Sequence, residues 1–443
     1  MTERQIRPGR SGQDKMVDVV IVGAGAAGIG AGRELAARGI SFTILEASDR
    51  IGGRAYTDKT SLPGHWDQGC QWFHCADVNP LVAEAEKLGW GFEREDRGDK
   101  AMAFIGGRWQ SPEELAALSA SLNAAFAAVY DAAKAGRDLP ITQVLPESGK
   151  WQPFVRNLFQ LMISEDPERT SALGYGDYDD SEVNWVVTGG LGGLVERLGT
   201  GLPIKTGVAV RAIDEQSGGV RLETSGGPIE AKAAIVTAST NVLLSGGIRI
   251  GPGPAKDLTD LMQDLPCGSY EKIAFAFDRL PIDQPDILFC HTLPGEGALP
   301  FGFQVVGGPQ PKIIGHVGGS DARDLAAAGR DAMIAFGRDA LVAVFGGDVI
   351  RAIKAAEVTG WQRNPWVRGA YSYARVGGGK SRKAMIAAET GAIRFAGEAF
   401  SLRWHSTVHG AWQSGRDVAS GLAAELAAGP KTALGSAMGA GEP

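Results

Sequence analysis

The sequence predicts an α/β fold combined with an α+β region, with two domains interleaved along the chain. A strand–helix–strand unit begins at Val17. A second strand-rich block runs from about Ile204 to Thr237, and a strand followed by a helix lies between Ile393 and Leu426. Because the pieces typical of one sheet stand near both ends and in the middle of the chain, we predict interleaved rather than consecutive domains.

The first unit is predicted from its apolar runs. Residues 17–23, Val-Asp-Val-Val-Ile-Val-Gly, are a near-continuous apolar stretch of strand length. Residues 26–38 are rich in small residues and predict a helix that ends at Gly39, and residues 41–45 predict the next strand. The short connection and the apolar runs indicate a parallel, buried strand pair.

The later elements are predicted from alternation, turn residues and composition. Residues 270–277 alternate in part and predict a strand, and the Ala-rich stretches 111–136 and 322–345 predict helices. Further strands are predicted at residues 208–213, 220–224, 233–237 and 393–396, and a last helix at 408–426.

Composition disfavours several classes of protein. The 443 residues carry 44 Lys and Arg against 51 Asp and Glu, a net charge of −7, without a basic tract. Binding to nucleic acid or to an anionic membrane is therefore not expected. None of the four cysteines forms a CxxC pair, so no metal site is predicted. The polar first fifteen residues lack an apolar leader segment, which predicts a cytoplasmic protein. A monomer or homodimer is expected.

The sharpest local signal is the run Gly23-Ala-Gly25-Ala-Ala-Gly28, which joins the first strand to the first helix. Gly23 allows a tight turn, Gly25 lets the backbone approach a pyrophosphate, and Gly28 lets helix and strand pack closely. The first helical turn, around Ala27, presents free N–H groups to an anion. Glu46 ends the second strand at the spacing typical of a carboxylate that accepts from ribose hydroxyls. The motif predicts a dinucleotide and leaves FAD and NAD open.

The following residues narrow the choice. Residues 49–54, Asp-Arg-Ile-Gly-Gly-Arg, resemble the continuation found in glutathione-reductase-like flavoproteins. More narrowly, the chain resembles the flavin-containing amine oxidases, which include monoamine oxidases, polyamine oxidases and flavin-dependent histone lysine demethylases. The resemblance runs from about Val17 to Leu426. It rests on residues 19–54, residues 67–72, Lys272 in the strand after Tyr270, Trp361 with residues 368–373, and residues 395–398 with 407–411.

The resemblance implies a glutathione-reductase-like, FAD-binding Rossmann domain interleaved with a substrate domain of mixed sheet and helices. The FAD-binding domain is predicted to comprise residues 16–75, 191–265 and 375–428. The substrate-binding domain is predicted to comprise residues 76–190 and 266–374. Residues 1–15 and 429–443 are predicted to be disordered.

FAD is the cofactor that the resemblance implies. Ala370 stands where monoamine oxidases carry the cysteine that is attached to the flavin, so non-covalent binding is expected. Glu398 would contact the ribityl–phosphate part, the Val408 N–H the pyrimidine edge, and the Val208 backbone the adenine. The implied cofactor-binding residues are Gly23, Gly25, Ala27, Gly28, Glu46, Gly53, Arg54, Gln71, Trp72, Val208, Gly397, Glu398, Thr407 and Val408.

Four residues are implied to be catalytic. Lys272 falls where the family keeps a lysine that holds a water at flavin N5. Tyr371 walls the substrate cavity beside the flavin, and Trp361 precedes that segment. Thr407 stands where many members have a second aromatic residue, so a wider cavity is expected.

The implied reaction oxidises the C–N bond of a small amine to an imine, with hydride transfer to flavin. Oxygen is the expected reoxidant, and the products are an aldehyde or ketone and hydrogen peroxide. An L-amino-acid oxidase of the same fold is an alternative, although residues 70–74 offer no arginine for a carboxylate. A non-catalytic flavoprotein binding module is another. His74 and the acidic residues between 177 and 182 either line the entrance and attract cationic amines or are simply solvated.

Overall fold

The computed structural model describes residues 17–94, 101–283, 288–292 and 300–428. The two segments predicted to be disordered, 1–15 and 429–443, lie outside these residues. The strands are β1 (Val17–Val22), β2 (Phe42–Leu45), β3 (Thr57–Asp58), β4 (Trp66–Asp67), β5 (Trp72–Phe73), β6 (Met102–Ile105), β7 (Arg108–Trp109), β8 (Trp185–Val186), β9 (Ile204–Lys205), β10 (Val210–Gln216), β11 (Gly219–Thr224), β12 (Gly227–Val236), β13 (Arg249–Ile250), β14 (Tyr270–Phe277), β15 (Leu288–Thr292), β16 (Pro300–Val306), β17 (Lys312–Gly318), β18 (Ile353–Val358) and β19 (Ile393–Phe395).

Helices connect and cover these strands, and short 3₁₀ turns occur at residues 141–143, 149–151, 262–264 and 398–400. The α-helices are α1 (Ala26–Ala37), α2 (Pro80–Leu88), α3 (Pro112–Lys134), α4 (Gln152–Ile163), α5 (Ala172–Tyr175), α6 (Leu191–Gly199), α7 (Thr240–Leu244), α8 (Pro254–Leu261), α9 (Gly319–Ala328), α10 (Arg330–Phe345), α11 (Val349–Ala352), α12 (Ser381–Ala387) and α13 (Val408–Ala428).

The larger sheet has the strand order β13-β10-β11-β12-β1-β2-β9, and β19 also pairs with β12. Strand β1 runs parallel to both β2 and β12, so the predicted parallel pair is confirmed. Val19, Val20 and Ile21 are fully buried because the sheet is covered on both faces. The strands come from residues 17–45, 204–250 and 393–395. The domain boundaries themselves stay a prediction.

The second sheet has the order β18-β14-β17-β16-β15-β6-β7. Its long strand β14 lies next to the edge strand β18 and is antiparallel to both neighbours. Ile273 and Phe275 point to one face and pack in a core with Met333 and Leu341 of α10. Since side chains alternate along a strand, Lys272 points to the opposite face. That opposite face forms part of the functional site.

A glycine and a capping box set the bounds of the two predicted Ala-rich helices. The predicted helix 322–345 is in fact two helices, because Gly329 adopts a φ of +98° that ends α9 and starts α10. Helix α3 begins at a capping box formed by Ser111 and Glu114. By length and mean hydropathy (23 residues, 1.3) it is long and apolar enough to cross a membrane, and 17% of its most apolar window is buried; one such helix is weak evidence of a membrane span.

The C-terminal helix α13 packs directly on α1, and small residues make the contact possible. A Cβ atom added to Gly415 would lie 2.0 Å from the Ala27 carbonyl oxygen, and one added to Gly30 would lie 2.6 Å from that of Trp412. No side chain fits at these positions. The close packing secures the two helices whose first turns line the same cavity.

Candidate active site

A cavity of about 1990 Å³ is lined by the C-terminal ends of β1 and β2, by the first turns of α1 and α13, and by residues of β14 and β17. Ordinary small-molecule pockets measure roughly 300–1,000 Å³, so this cavity has room for a dinucleotide and a substrate together. The C-terminal end of parallel strands is also where such folds bind nucleotides.

The glycine turn has the geometry that its sequence predicts. Gly23 has a φ of +104°, and a Cβ on Gly28 would lie 1.9 Å from the Gly23 carbonyl oxygen. Gly25 differs, because its added Cβ would meet only the Gly52 oxygen, at 3.8 Å. Gly25 and Ala27 line the cavity, while Gly28 packs helix against strand. No side chain caps α1, so its first N–H groups are available to an anion.

The Glu46 carboxylate is oriented by its own loop. One oxygen accepts from the Ala24 N–H at 2.7 Å, and the other accepts from the backbone and hydroxyl of Ser48, both at 2.9 Å. Further lone pairs remain for ribose hydroxyls. Val208 lies close by, but its N–H donates to the Glu46 carbonyl at 2.8 Å. We therefore expect any backbone contact of Val208 with an adenine to be made through its carbonyl.

An ion pair between the buried Glu398 and the partly buried Arg54 joins two of the predicted cofactor-binding residues. Arg54 Nη1 lies 2.8 Å from Glu398 Oε1 and also donates to the Ala370 carbonyl at 2.6 Å. Ser372 donates its hydroxyl to Glu398 at 2.6 Å. Burial disfavours the charged carboxylate, yet Arg54 and Ser372 together hold the pKa of Glu398 below its usual value. Glu398 thus holds the Arg54 guanidinium at the cavity wall, near Gly53 and Gly397.

Thr407 caps α13, a role that its sequence position did not predict. Its Oγ1 accepts from the Gly410 N–H at 3.0 Å and donates to the Trp404 carbonyl at 2.7 Å. The capped first turn leaves the Val408 N–H without an intrahelical acceptor. Thr407 and Val408 both line the cavity, so the positive end of the α13 dipole faces it.

Lys272 lies at the cavity wall and is only 3% exposed. Its Nζ donates to the carbonyls of Asp67 at 2.8 Å and Gly69 at 2.7 Å, and to the Gln71 amide oxygen. Burial lowers the pKa of Lys272 to about 8, although the Asp67 carboxylate opposes that shift. All three ammonium hydrogens therefore have protein acceptors. The implied water-holding role of Lys272 stays a prediction.

Gln71 links Lys272 of β14 to Gln304 of β16, in the same sheet. While its oxygen accepts from Lys272, its amide nitrogen donates to Gln304 Oε1. A cationic lysine requires this orientation of the Gln71 amide, because the reversed amide would direct its N–H groups at the ammonium. Trp72 follows Gln71 and lines the cavity.

Aromatic side chains form another part of the cavity wall. The Tyr371 hydroxyl donates to the Leu161 carbonyl, which anchors the ring beside α4. The Tyr270 ring lies 6.0 Å from that of Tyr371, centroid to centroid. Trp361 donates its indole N–H to the Gln68 carbonyl at 3.0 Å. All of the predicted site residues except Gly28 line this cavity. Their individual roles stay predictions.

The structure adds Tyr270, His316 and Gln304 to the predicted residues. His316 is paired with Lys272 across β14 and β17, and its Nδ1 lies 2.8 Å from Tyr270 Oη. Burial and the Lys272 charge hold the pKa of His316 well below its usual value, so the ring is neutral at pH 7. Alternation along β14 could have revealed Tyr270, because it shares the face of Lys272. His316 and Gln304 carry no such local signal.

The residues left open by the sequence lie in different places. His74 lines the cavity, and its Nδ1 lies 2.6 Å from the Asn184 amide oxygen. Asp177 and Asp179 form ion pairs with Lys383 and Arg403 and are thereby tied to the protein. Asp180 is exposed and lines the cavity. Of the two C-terminal histidines, His405 lines the cavity, whereas His409 is fully buried and is not among the lining residues.

The chain is similar in sequence to known proteins along most of its length. The chain is 26% identical over 442 residues to the human lysine-specific histone demethylase 2, covering 92% of this chain and 53% of that protein. It is 27% identical over 443 residues to polyamine oxidase 4 of Oryza sativa subsp. japonica, covering 90% of this chain and 86% of that protein. The chain thus spans about half the length of the demethylase.

Solved structures show the same fold. The cyclohexylamine oxidase from Brevibacterium oxydans IH-35A superposes with a TM-score of 0.77 at 20% identity, covering 93% of this chain and 100% of that one. A double mutant of a putrescine oxidase, redesigned in its cofactor binding, gives a TM-score of 0.74 at 18% identity, covering 93% and 99%. The predicted fold class is confirmed.

A family model described as flavin containing amine oxidoreductase matches residues 26–423. The predicted cofactor, FAD, is confirmed by this match. The cavity suits it, with a glycine turn open at Gly25, a carboxylate at Glu46, a guanidinium at Arg54 and the N-terminal end of α13 at Val408. The chain belongs to the family of flavin-containing amine oxidoreductases.

Proposed function

We propose that this protein oxidises an amine that lacks an α-carboxylate, with oxygen as the electron acceptor. The observation that carries the proposal is the buried Lys272 ammonium, which faces the same cavity as the glycine turn and the α13 N-terminus. Positive charge from Lys272 and from the helix dipole favours an anionic reduced cofactor and the transfer of electrons to oxygen.

Bound FAD supplies the acceptor for a hydride equivalent. In overall balance, the amine, oxygen and water give an aldehyde or ketone, ammonia or a smaller amine, and hydrogen peroxide. The chain's own residues exclude water with the Tyr270 and Tyr371 rings and place the Lys272 charge at the cavity wall. That positive charge and the apolar surroundings favour a neutral amine over an ammonium ion.

The pH dependence follows from the charge of the amine. An alkylamine loses its proton near the pKa of a lysine, about 10.4. The rate of anaerobic flavin reduction at low amine concentration is therefore expected to rise with pH from 6 toward 10, because the neutral fraction rises. Stopped-flow absorbance at each pH measures this rate without oxygen. A flat profile with a simple alkylamine would contradict reaction of the free base.

FAD is expected to be bound without a covalent link. Residue 370 is alanine, whose side chain offers no thiol at the position of covalent attachment implied by the resemblance. Acid precipitation should leave the yellow colour in the supernatant. Colour retained in the washed pellet would show a covalent bond and refute this prediction.

The segment that holds Lys272 offers no cation to a substrate carboxylate, although Arg363 and Arg368 also line the cavity. Residues 69–74 contain no arginine, and Lys272 already has three protein acceptors. A substrate carboxylate there would stay buried and unpaired, which costs several kcal/mol. Thr407 is smaller than the aromatic residue that the resemblance leads one to expect at its position. The space that it leaves in the cavity favours amines with a ring or a branched carbon.

Anaerobic bleaching of the flavin tests the function. Adding 2-phenylethylamine to the holoenzyme should bleach the 450 nm region, roughly a hundredfold faster than adding L-phenylalanine, from which the amine differs only in the carboxylate. Faster bleaching by the amino acid would establish the L-amino-acid oxidase alternative. Failure of a broad set of amines and amino acids to bleach it would favour a flavoprotein that binds without catalysis.

A further inference from the structure

The cavity continues from the aromatic wall along helices α3 and α4. Leu161 of α4 marks the junction, because its carbonyl accepts from Tyr371 and its Cδ1 lies 3.6 Å from the Cβ position of Gly302. Gly302 is in turn paired with His316, which is paired with Lys272. The α4 side of the cavity is therefore continuous with the site of the Lys272 charge.

Both helices present uncharged side chains to this part of the cavity. Spacings of three and four residues place them on one face of each helix. The apolar subsite, as we name it, consists of Leu115, Leu118 and Leu122 of α3 and Leu158, Leu161 and Met162 of α4.

The exposure pattern of α3 shows that large apolar side chains in its first half stay accessible at the cavity, although Leu122 also packs against the core. Ala125, Val129 and Ala132 in its second half are fully buried. Leu118 and Leu122 in the first half are only partly buried although they are large and apolar. Apolar side chains left accessible inside a cavity are typical of a surface that an apolar ligand covers.

Four acidic residues line the described part of the cavity, and none of them belongs to α3 or α4. Of the acidic residues that line the described cavity, Glu46, Asp49 and Glu398 belong to the glycine turn and its ion pair. Asp180 is exposed, and its Oδ1 accepts from the Glu182 N–H at 2.9 Å. A second ammonium group on a substrate would find no carboxylate among the leucines and would be desolvated there.

We propose that the apolar subsite binds an alkyl or aryl substituent of the substrate, so that the preferred substrates are monoamines with an apolar chain rather than diamines or polyamines. This inference rests on the proposed amine oxidation and specifies its substrate class. Leu118, Leu122 and Met162 are its specificity-determining residues.

The experiment compares butyl-, hexyl- and octylamine with the α,ω-diamines of the same lengths. The holoenzyme is reduced anaerobically by each at one pH, and the dissociation constant and limiting rate are measured separately. The n-alkylamines share nearly the same basicity, so chain length is the variable. We expect the dissociation constant to fall about threefold to fourfold per added methylene, and each diamine to bind more than about tenfold more weakly than its monoamine.

Substitutions on α3 test whether this helix is responsible for the preference for apolar monoamines. Leu118→Asp should weaken hexylamine binding at least about tenfold and improve 1,6-diaminohexane relative to it, because the new carboxylate pairs with the second ammonium. Ala117→Asp places the same charge on the exposed face of the same helix and should change neither. Circular dichroism and retained FAD confirm that both variants fold.

The outcomes separate the two proposals. Amines that reduce the flavin with no dependence on chain length, or diamines that bind as tightly as monoamines, would overturn the apolar subsite and leave amine oxidation intact. A preference for diamines that disappears in Asp180→Asn would assign recognition to that carboxylate and would also overturn it. If no amine reduces the flavin, the proposed function fails and the subsite fails with it.

Discussion

Replacing Lys272 with methionine is expected to slow the reaction of the reduced flavin with oxygen by about tenfold or more. The reason is the loss of a buried positive charge at the cavity wall, where burial strengthens its field. Flavin reduction by the amine should change much less, because a neutral amine needs no cation. Stopped-flow mixing of the anaerobically reduced variant with oxygenated buffer measures the effect.

The structure supplies a matched control in Lys312. This second buried lysine belongs to the same sheet, and its Nζ donates to the Gln310 carbonyl at 2.9 Å. It does not line the cavity described above. Lys312→Met removes a buried ammonium of the same kind and should leave both half-reactions within about twofold. Equal effects of the two substitutions would refute a specific role for Lys272.

The pH dependence of the oxygen reaction separates charge from packing. Because the pKa of Lys272 is lowered to about 8, its ammonium form is present at neutral pH and is lost as the pH rises through that value. The wild-type rate should therefore fall above about pH 8, and the Lys272→Met rate should be low and flat. A wild-type rate independent of pH between 6 and 10 would contradict the electrostatic explanation.

Replacing Glu398 with alanine is expected to have the second large effect, on FAD affinity and stability. Without the carboxylate, Arg54 loses its ionic partner and Ser372 its acceptor at 2.6 Å. Removing one member of a buried ion pair costs about 3–5 kcal/mol. We expect a lower melting temperature and FAD binding weakened by more than about a hundredfold.

Two comparisons interpret that result. Asp214→Ala breaks the Arg249–Asp214 pair, which lies at the surface, and should cost less than about 1 kcal/mol. The stabilisation by Glu398 should also depend on pH, since its pKa is lower in the folded chain than in the unfolded one. It is present above about pH 4.3 and is lost on acidification. Wild-type stability and FAD affinity in Glu398→Ala would refute the assignment.

Local patterns in the sequence were sufficient to predict the nucleotide end of the site. The Gly23–Gly28 run, the apolar strand before it and Glu46 after it all lie within one strand–helix–strand unit, so their geometry follows from short-range rules. The sequence predicts one continuous helix across Gly329, because a glycine inside an Ala-rich stretch is compatible with a helix. Its positive φ became visible only in the structure.

The part of the cavity around Lys272 depends on contacts between residues far apart in the chain. Alternation along β14 predicts that Tyr270 and Lys272 share a face, but nothing local shows that His316 and Gln304 come from neighbouring strands to the same place. Thr407 shows a second limit of inference from the sequence. Its position correctly predicts a cavity residue, but not that its hydroxyl also caps α13 through Gly410.

The sequence by itself determined the fold class and the dinucleotide-binding turn, because apolar periodicity and glycine spacing are properties of short segments. The family followed from the resemblance of several separate motifs. Only the tertiary structure decided what surrounds Lys272 and which face of α3 meets the cavity. Hydrogen bonds from Lys272 to Asp67, Gly69 and Gln71 span about two hundred residues. Sheet register and helix packing bring such groups together, and neither can be read from the residues one segment at a time.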